Sequence, residues 1–234
     1  MKLKKCVWGA TEVEYLGHVI SREGLQTDPK KTKAIADWPN PRNQKEVREF
    51  LGLTNYYQKF VSKYANKAAP LNDLLRKDKE WDWGDPQEKA FRALKGALQD
   101  TPVLRIADPT RPYRMETDMS DIAIGAVLKQ EAEDGWHPIA FLSRKLTDTE
   151  KRYSAYDREL LALGYALKKW RCYLLGLEIK ASTDHHTLVN LLTQKELTGR
   201  QARWADMLAE YRVNIIYKPG TQNIVADALS RRAD

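Results

Sequence analysis

The sequence lacks any apolar run that reaches the ~18 residues a membrane span needs, so no membrane partner is expected. It has only two cysteines, Cys6 and Cys172, far apart and without a metal-ligand spacing. They read as reduced thiols, and the expected location is therefore intracellular. The basic start, Met1-Lys2-Leu3-Lys4-Lys5-Cys6, has no long apolar stretch behind it, which argues against a secretory leader. Internal repeats and low-complexity tracts are absent as well.

What is present is the composition of a globular protein, 42% hydrophobic and 30% charged over 234 residues, enough for one large domain or two small ones. The formal charge is +7 and uneven: 20 Lys and Arg against 15 Asp and Glu up to residue 110, then 19 against 17. A mild basic excess suits contact with a phosphate backbone but does not by itself establish it.

Residues 5–27 alternate in strand fashion around the turn residues Gly9 and Gly24. Asp28-Pro29 then opens a helix expected to run to Trp38, where Pro39-Asn40-Pro41 breaks it. Asn43 caps the next helix, with Val47, Phe50, Leu51, Leu53 and Tyr57 at helical spacing, and shorter helices are expected around Pro70–Leu75 and Pro86–Leu98. After residue 101 the texture changes. Strand-like runs Tyr113–Asp118, Ile122–Gln130 and His137–Ser143 precede one long helix, Thr149–Leu174. A strand (Glu178–Asp184), two helices (Thr187–Leu192, Gln201–Tyr211), a strand (Val213–Tyr217) and a last helix (Asn223–Arg231) follow, an order that defines a mixed α/β fold.

Four acids border apolar segments in this part of the chain. Asp118 ends a strand, Glu159 precedes Leu160-Leu161-Ala162-Leu163 in the long helix, Asp184 ends the next strand and Asp227 lies within the last helix. An unpaired carboxylate is costly in such a place. Brought together the four repel one another, and divalent cations with their hard oxygen ligands relieve that repulsion. Read singly, each acid is as well explained as a solvated cap; together they point to two-metal phosphodiester chemistry.

The segments that carry these acids resemble the ribonuclease H domain of Ty3/gypsy-type retrotransposon reverse transcriptases. They are Glu116-Thr117-Asp118-Met119-Ser120-Asp121 with the strand Ile122–Leu128, Tyr156-Asp157-Arg158-Glu159-Leu160, Thr183-Asp184-His185, and Lys218-Pro219-Gly220-Thr221-Gln222-Asn223-Ile224-Val225-Ala226-Asp227-Ala228-Leu229-Ser230-Arg231. The resemblance covers about residues 110–232 and implies a mixed five-stranded sheet flanked by helices. It assigns Asp118, Glu159, Asp184 and Asp227 as catalytic, metal-binding acids for two Mg²⁺ or Mn²⁺ ions, with an RNA–DNA hybrid as substrate. Asp121 and Asp157 read as supporting or solvated neighbours, and His185 and His186 as helix-start or substrate-side residues. Retroviral and cellular relatives usually carry a mobile histidine before the last acid, and retrotransposon members often lack it; none lies between Val213 and Asp227.

The first part resembles the same polyproteins. Tyr15-Leu16-Gly17-His18-Val19-Ile20 is similar to the hairpin that grips a primer end, and Trp38-Pro39-Asn40-Pro41 with Phe50–Tyr57 to the thumb. Ala69-Pro70-Leu71 and Trp81-Asp82-Trp83 are similar to the connection. The expected division is a primer-grip, thumb and connection-like region at 1–100 and the nuclease-like domain at 101–234. Tyr15, Gly17, Tyr57 and Lys59 are the candidate nucleic-acid contacts; Lys63 belongs to the same basic and aromatic run. No two aspartates are adjacent anywhere, so the polymerase pair is missing, and the chain reads as part of a polyprotein whose remainder is an expected partner. The alternative is a catalytically idle nucleic-acid-binding or interaction module derived from a retrotransposon.

Overall fold

The computed structural model describes residues 8–77, 79–193 and 196–219. The chain divides into two compact units, one of residues 1–61 and 67–106, the other of residues 62–66 and 107–234.

The first unit opens with three antiparallel strands, β1 (Glu12–Tyr15), β2 (His18–Ser21) and β3 (Leu25–Thr27). Leu16 and Gly17 form the two-residue turn between β1 and β2, with φ of 48° and 70°, as the twist of a tight hairpin requires. A leucine resists that conformation. The turn is clamped by the hydroxyls of Tyr56 and Tyr57, which donate to the carbonyls of Leu16 and Gly17. At Gly24, φ is +143° and a Cβ would lie 2.2 Å from the Leu104 carbonyl oxygen. Only glycine lets Leu25 and Leu104 exchange their backbone hydrogen bonds of 2.7 and 2.9 Å.

Asp28 accepts from the Lys30 amide at 2.8 Å and Pro29 occupies the first position of α1 (Pro29–Ala36). That helix stops short of Trp38, whose ring packs on Phe50 instead. Asn43 caps α2 (Gln44–Tyr56) by accepting from the Glu46 amide at 3.0 Å, and Val47, Phe50 and Leu51 turn inward as their spacing predicts. Next comes α3 (Tyr64–Asp73), which begins earlier than the sequence suggests and holds Pro70 in its interior rather than at its start. Ala90, Phe91, Leu94 and Leu98 form the buried stripe of α4 (Asp85–Gln99), with the Phe91 and Phe50 rings 4.5 Å apart.

The second unit is a mixed five-stranded sheet flanked by helices. Its strands β4 (Tyr113–Met119), β5 (Ala123–Ala132), β6 (Gly135–Lys145), β7 (Glu178–Thr183) and β8 (Arg212–Tyr217) lie in the order β6-β5-β4-β7-β8. The meander β4-β5-β6 is antiparallel, whereas β7 joins β4 and β8 joins β7 in parallel. The chain between Lys145 and β7 is not the single helix that the apolar pattern suggests. A 3-10 turn (Glu150–Arg152) leads to Ser154, which accepts from the Asp157 amide at 3.1 Å and caps α5 (Ala155–Lys169). Trp170 leaves the helical conformation and a short α6 (Arg171–Leu174) follows. A 3-10 stretch (His186–Thr193) and α7 (Gly199–Ala209) complete the described elements.

Burial explains the layering. Tyr113, Met115 and Leu128 from the meander, with Ile179, Ala181 and Ile215 from the parallel strands, form one core with Leu160, Leu163, Ala166, Leu167 and Trp170. The helix α5 thus lies over the middle of the sheet by its apolar face. Among the described residues no helix is long and apolar enough to cross a membrane.

Candidate active site

Parallel pairing of β4 with β7 sets the geometry of the site. Glu116 pairs with Ser182. Asp118 and Asp184 each lie two residues further on, so both carboxyls emerge at the carboxyl ends of adjacent parallel strands, where open α/β sheets hold their ligands. The third acid arrives from α5. Its cap at Ser154 places Glu159 in the second helical turn, on a helix packed against β4, and the Glu159 side chain is only 7% exposed.

The three acids sense one another electrostatically. Burial pushes the Glu159 carboxyl up to about 8, and the charges of Asp184 and then Asp118, together with hydrogen-bond proximity to Asp184, push in the same direction; Arg158 partly opposes them. One carboxyl oxygen of Glu159, Oε2, is buried without a hydrogen-bond partner. Asp184 itself is exposed in the turn after β7, where the Thr183 hydroxyl accepts from the His185 amide at 3.2 Å. Asp118 is half exposed and forms an ion pair with Lys63, whose Nζ lies 3.0 Å from Oδ2.

Among the described residues, no three His, Cys, Asp or Glu side chains are grouped closely enough to cage a metal ion as they stand. The Asp118 carboxylate is engaged by an ammonium, and Asp227, the fourth expected acid, lies outside the described residues. The donor chemistry nonetheless fits a hard divalent cation: carboxylate oxygens from three acids, one of them a buried orphan oxygen that a metal would satisfy.

The neighbouring acids have different surroundings. Asp121 is almost fully exposed and pairs with Arg158 at 3.1 Å. Asp157 instead ties two helices together, accepting from Arg200 at 3.2 Å and from Gln201 at 2.9 Å. His185 is held by an Nδ1 contact of 2.7 Å to the Thr187 hydroxyl and by the Tyr156 ring, while His186 packs on Tyr217. In the first unit Tyr15 is exposed at the end of β1 and Lys59 lies over the Phe60 ring. Tyr57 is buried, and its hydroxyl reaches the Gly17 carbonyl at 2.7 Å.

Sequence reasoning set Lys63 among residues that flank a duplex and missed its pairing with an acid 55 positions away. No local signal announces that pairing. Ser120 is a second unanticipated element. Its hydroxyl accepts from the Ala123 amide at 3.1 Å and from Asn66 Nδ2 at 3.1 Å, fixing the turn that follows Asp118.

The second unit is thus a meander followed by two parallel strands, with acids at the strand ends and a helix acid beside them. Residues 108–211 match the family described as RNase H-like domain found in reverse transcriptase. Over the whole chain the homologues are Pol polyproteins of transposons. The Retrovirus-related Pol polyprotein from transposon 297 of Drosophila melanogaster is 41% identical over 232 residues, which are 99% of this chain and 22% of that protein. The Transposon Tf2-3 polyprotein of Schizosaccharomyces pombe is 38% identical, over 98% of this chain and 18% of the relative. The chain therefore spans about a fifth of the length of these curated relatives. Among solved structures, a foamy viral protease-reverse transcriptase in complex with RNA/DNA hybrid has a TM-score of 0.75 at 24% identity, covering 93% of this chain and 30% of that one. The same enzyme in complex with dsDNA also gives 0.75, at 23% identity, over 90% of this chain and 45% of that one. At these identities the likeness is one of fold.

Proposed function

We propose that the second unit is a metal-dependent endonuclease that hydrolyses the RNA strand of RNA–DNA hybrids, acting as the ribonuclease H part of a retrotransposon reverse transcriptase. The observation that carries the reading is Glu159, a buried carboxyl raised to about 8 by burial and by Asp184 and Asp118, with an oxygen left unpartnered. Such a site is poised for a cation. Asp118, Glu159 and Asp184 would hold it, with Asp227 as the fourth ligand. Two Mg²⁺ or Mn²⁺ ions, when bound, supply an activated water and neutralise charge at the scissile phosphate.

The chain's own residues do the rest. Glu159 would hold the cation as its carboxylate, and Arg158 favours that ionised form. Asp118, paired with the Lys63 ammonium, would supply a further carboxylate to the cation. Ser120 keeps the turn beyond Asp118 in place, so the carboxylate is oriented before substrate arrives. Discrimination of RNA from DNA requires contact with the 2′-hydroxyl, and backbone contacts by Lys and Arg make binding salt-dependent. We assign residues 101–234 to this domain and residues 1–100 to a primer-grip, thumb and connection-like region. There the exposed Tyr15 and the partly buried Lys59 are the duplex contacts, and Tyr57 acts through its hold on Gly17.

The test is cleavage of a labelled hybrid with and without Mg²⁺, set beside DNA duplex. Parent protein is expected to cut the RNA strand only with metal. Asp118→Asn should abolish cutting and leave hybrid binding largely intact, since affinity comes from cations elsewhere. Asp121→Asn, which removes the charge of an almost fully exposed carboxylate, should cut nearly as fast as the parent. Equal cutting of DNA duplex would make the protein a general nuclease. A parent that binds hybrid and never cuts would instead be the idle nucleic-acid-binding module.

A further inference from the structure

Residues 62–66 belong to the second unit although the chain on either side of them belongs to the first. The segment is fastened to the sheet at three points. The Ala65 amide donates to the Ser143 hydroxyl on β6 at 2.9 Å, Asn66 Nδ2 to the Ser120 hydroxyl after β4 at 3.1 Å, and Lys63 Nζ lies 3.0 Å from Asp118 Oδ2. Lys63 also has a left-handed backbone, φ 53°. That conformation is uncommon for a residue with a Cβ, and such strain collects where a side chain must be aimed.

We propose that Lys63 is a built-in counter-cation: its ammonium occupies the Asp118 carboxylate in the metal-free protein, competes with the divalent cation there and leaves when metal enters. The inference rests on the metal-site reading above. It adds to that reading a residue that sets metal affinity without being a ligand. The ammonium sits on one oxygen of a carboxylate that would hold the cation, and it carries charge of the same sign as the metal. Both effects oppose metal binding. The other two anchors, at Ser143 and Ser120, involve no acid, so they hold the segment beside the site after Lys63 lets go. The magnitude is bounded by exposure. The two side chains are 40% and 48% exposed, and an exposed ion pair is worth at most ~1 kcal/mol, about a fivefold change in affinity.

The experiment is a Mn²⁺ titration of the full chain without nucleic acid, followed by calorimetry and by melting temperature. Lys63→Met keeps the apolar stem and removes the charge, and is expected to bind Mn²⁺ about two- to fivefold more tightly than the parent. Lys63→Arg keeps the charge and should titrate like the parent. Asp118→Asn should bind more weakly, and in that background Lys63→Met should make no further difference, because the contact it removes is already gone. Melting in EDTA checks that each variant is folded. If the parent binds Mn²⁺ and Lys63→Met binds equally or more weakly, the counter-cation role is wrong. If the gain persists undiminished beside Asp118→Asn, Lys63 acts through general charge and not through this contact. A parent that binds no Mn²⁺ at all overturns the metal-site reading and this inference with it.

Discussion

Replacing Glu159 by Gln should make the metal-free protein more stable at neutral and mildly alkaline pH. The parent carboxyl titrates near 8 when folded and near 4.5 when unfolded. A folded value above the unfolded one means that this group's favourable contribution is complete below about pH 4.5 and is lost as pH rises through 8. The slope between those limits is at most about 1.4 kcal/mol per pH unit, so by pH 7 the parent has lost at most about 3 kcal/mol that the glutamine variant would keep. Glutamine has the same shape, never ionises, and can donate to Asp184 as the protonated acid does. The assay is urea unfolding in EDTA at pH 5, 6, 7 and 8. Stability of Glu159→Gln minus that of the parent should be small at pH 5 and grow toward pH 8, a difference of roughly 5–10 °C in melting temperature by pH 7. Saturating Mn²⁺ should reverse the order, because only the parent binds metal well and binding stabilises the folded state. Parallel pH profiles for the two proteins would refute the reasoning, since they would mean that Glu159 is not held among other carboxylates.

Two further outcomes test the framework. Gly24→Ala puts a methyl 2.2 Å from the Leu104 carbonyl oxygen at φ +143°, so it should cost several kcal/mol or break the Leu25–Leu104 bridge, read by chemical denaturation and amide exchange. Asp157→Ala removes the carboxylate that accepts from Arg200 and Gln201. It should lower the melting temperature, with a loss of about 1–3 kcal/mol, while leaving Mn²⁺ affinity near that of the parent.

Much of the second unit was legible because its elements are short and their apolar periods clean. The three meander strands, β7 and β8 lie within a few residues of their expected bounds, although β5 is buried at eight successive positions and shows no alternation. The single helix expected at Thr149–Leu174 is broken at two residues. An apolar period continues across Ser154 and Trp170, but Ser154 is a cap and Trp170 leaves the helical conformation to fill the core. The stretch after Asp184 is 3-10 rather than α. Over so short a stretch the two periods, of about 3.0 and about 3.6 residues per turn, place apolar residues too similarly for periodicity to separate them. For the site, Asp118, Glu159 and Asp184 could be nominated from their apolar borders, and the coupling at Glu159 supports their grouping. Asp227 lies outside the described residues. Lys63 was illegible because an ion pair across 55 positions depends on tertiary structure alone.

The parallel pairing of β4 with β7 also has a kinetic meaning. The meander closes through tight local turns, while β7 can join β4 only after residues 120–177 have looped round and folded. Contacts of such sequence separation form late, because the loop-closure entropy must be met before the pairing is gained. Asp118 and Asp184 come to adjacent strand ends only in that joining, so the early chain does not hold them together. A ligand held between them binds what exists only on the native side of the barrier. It should therefore slow unfolding strongly and leave the folding rate almost unchanged, making occupancy of the site a lock on the finished fold and not a guide to it.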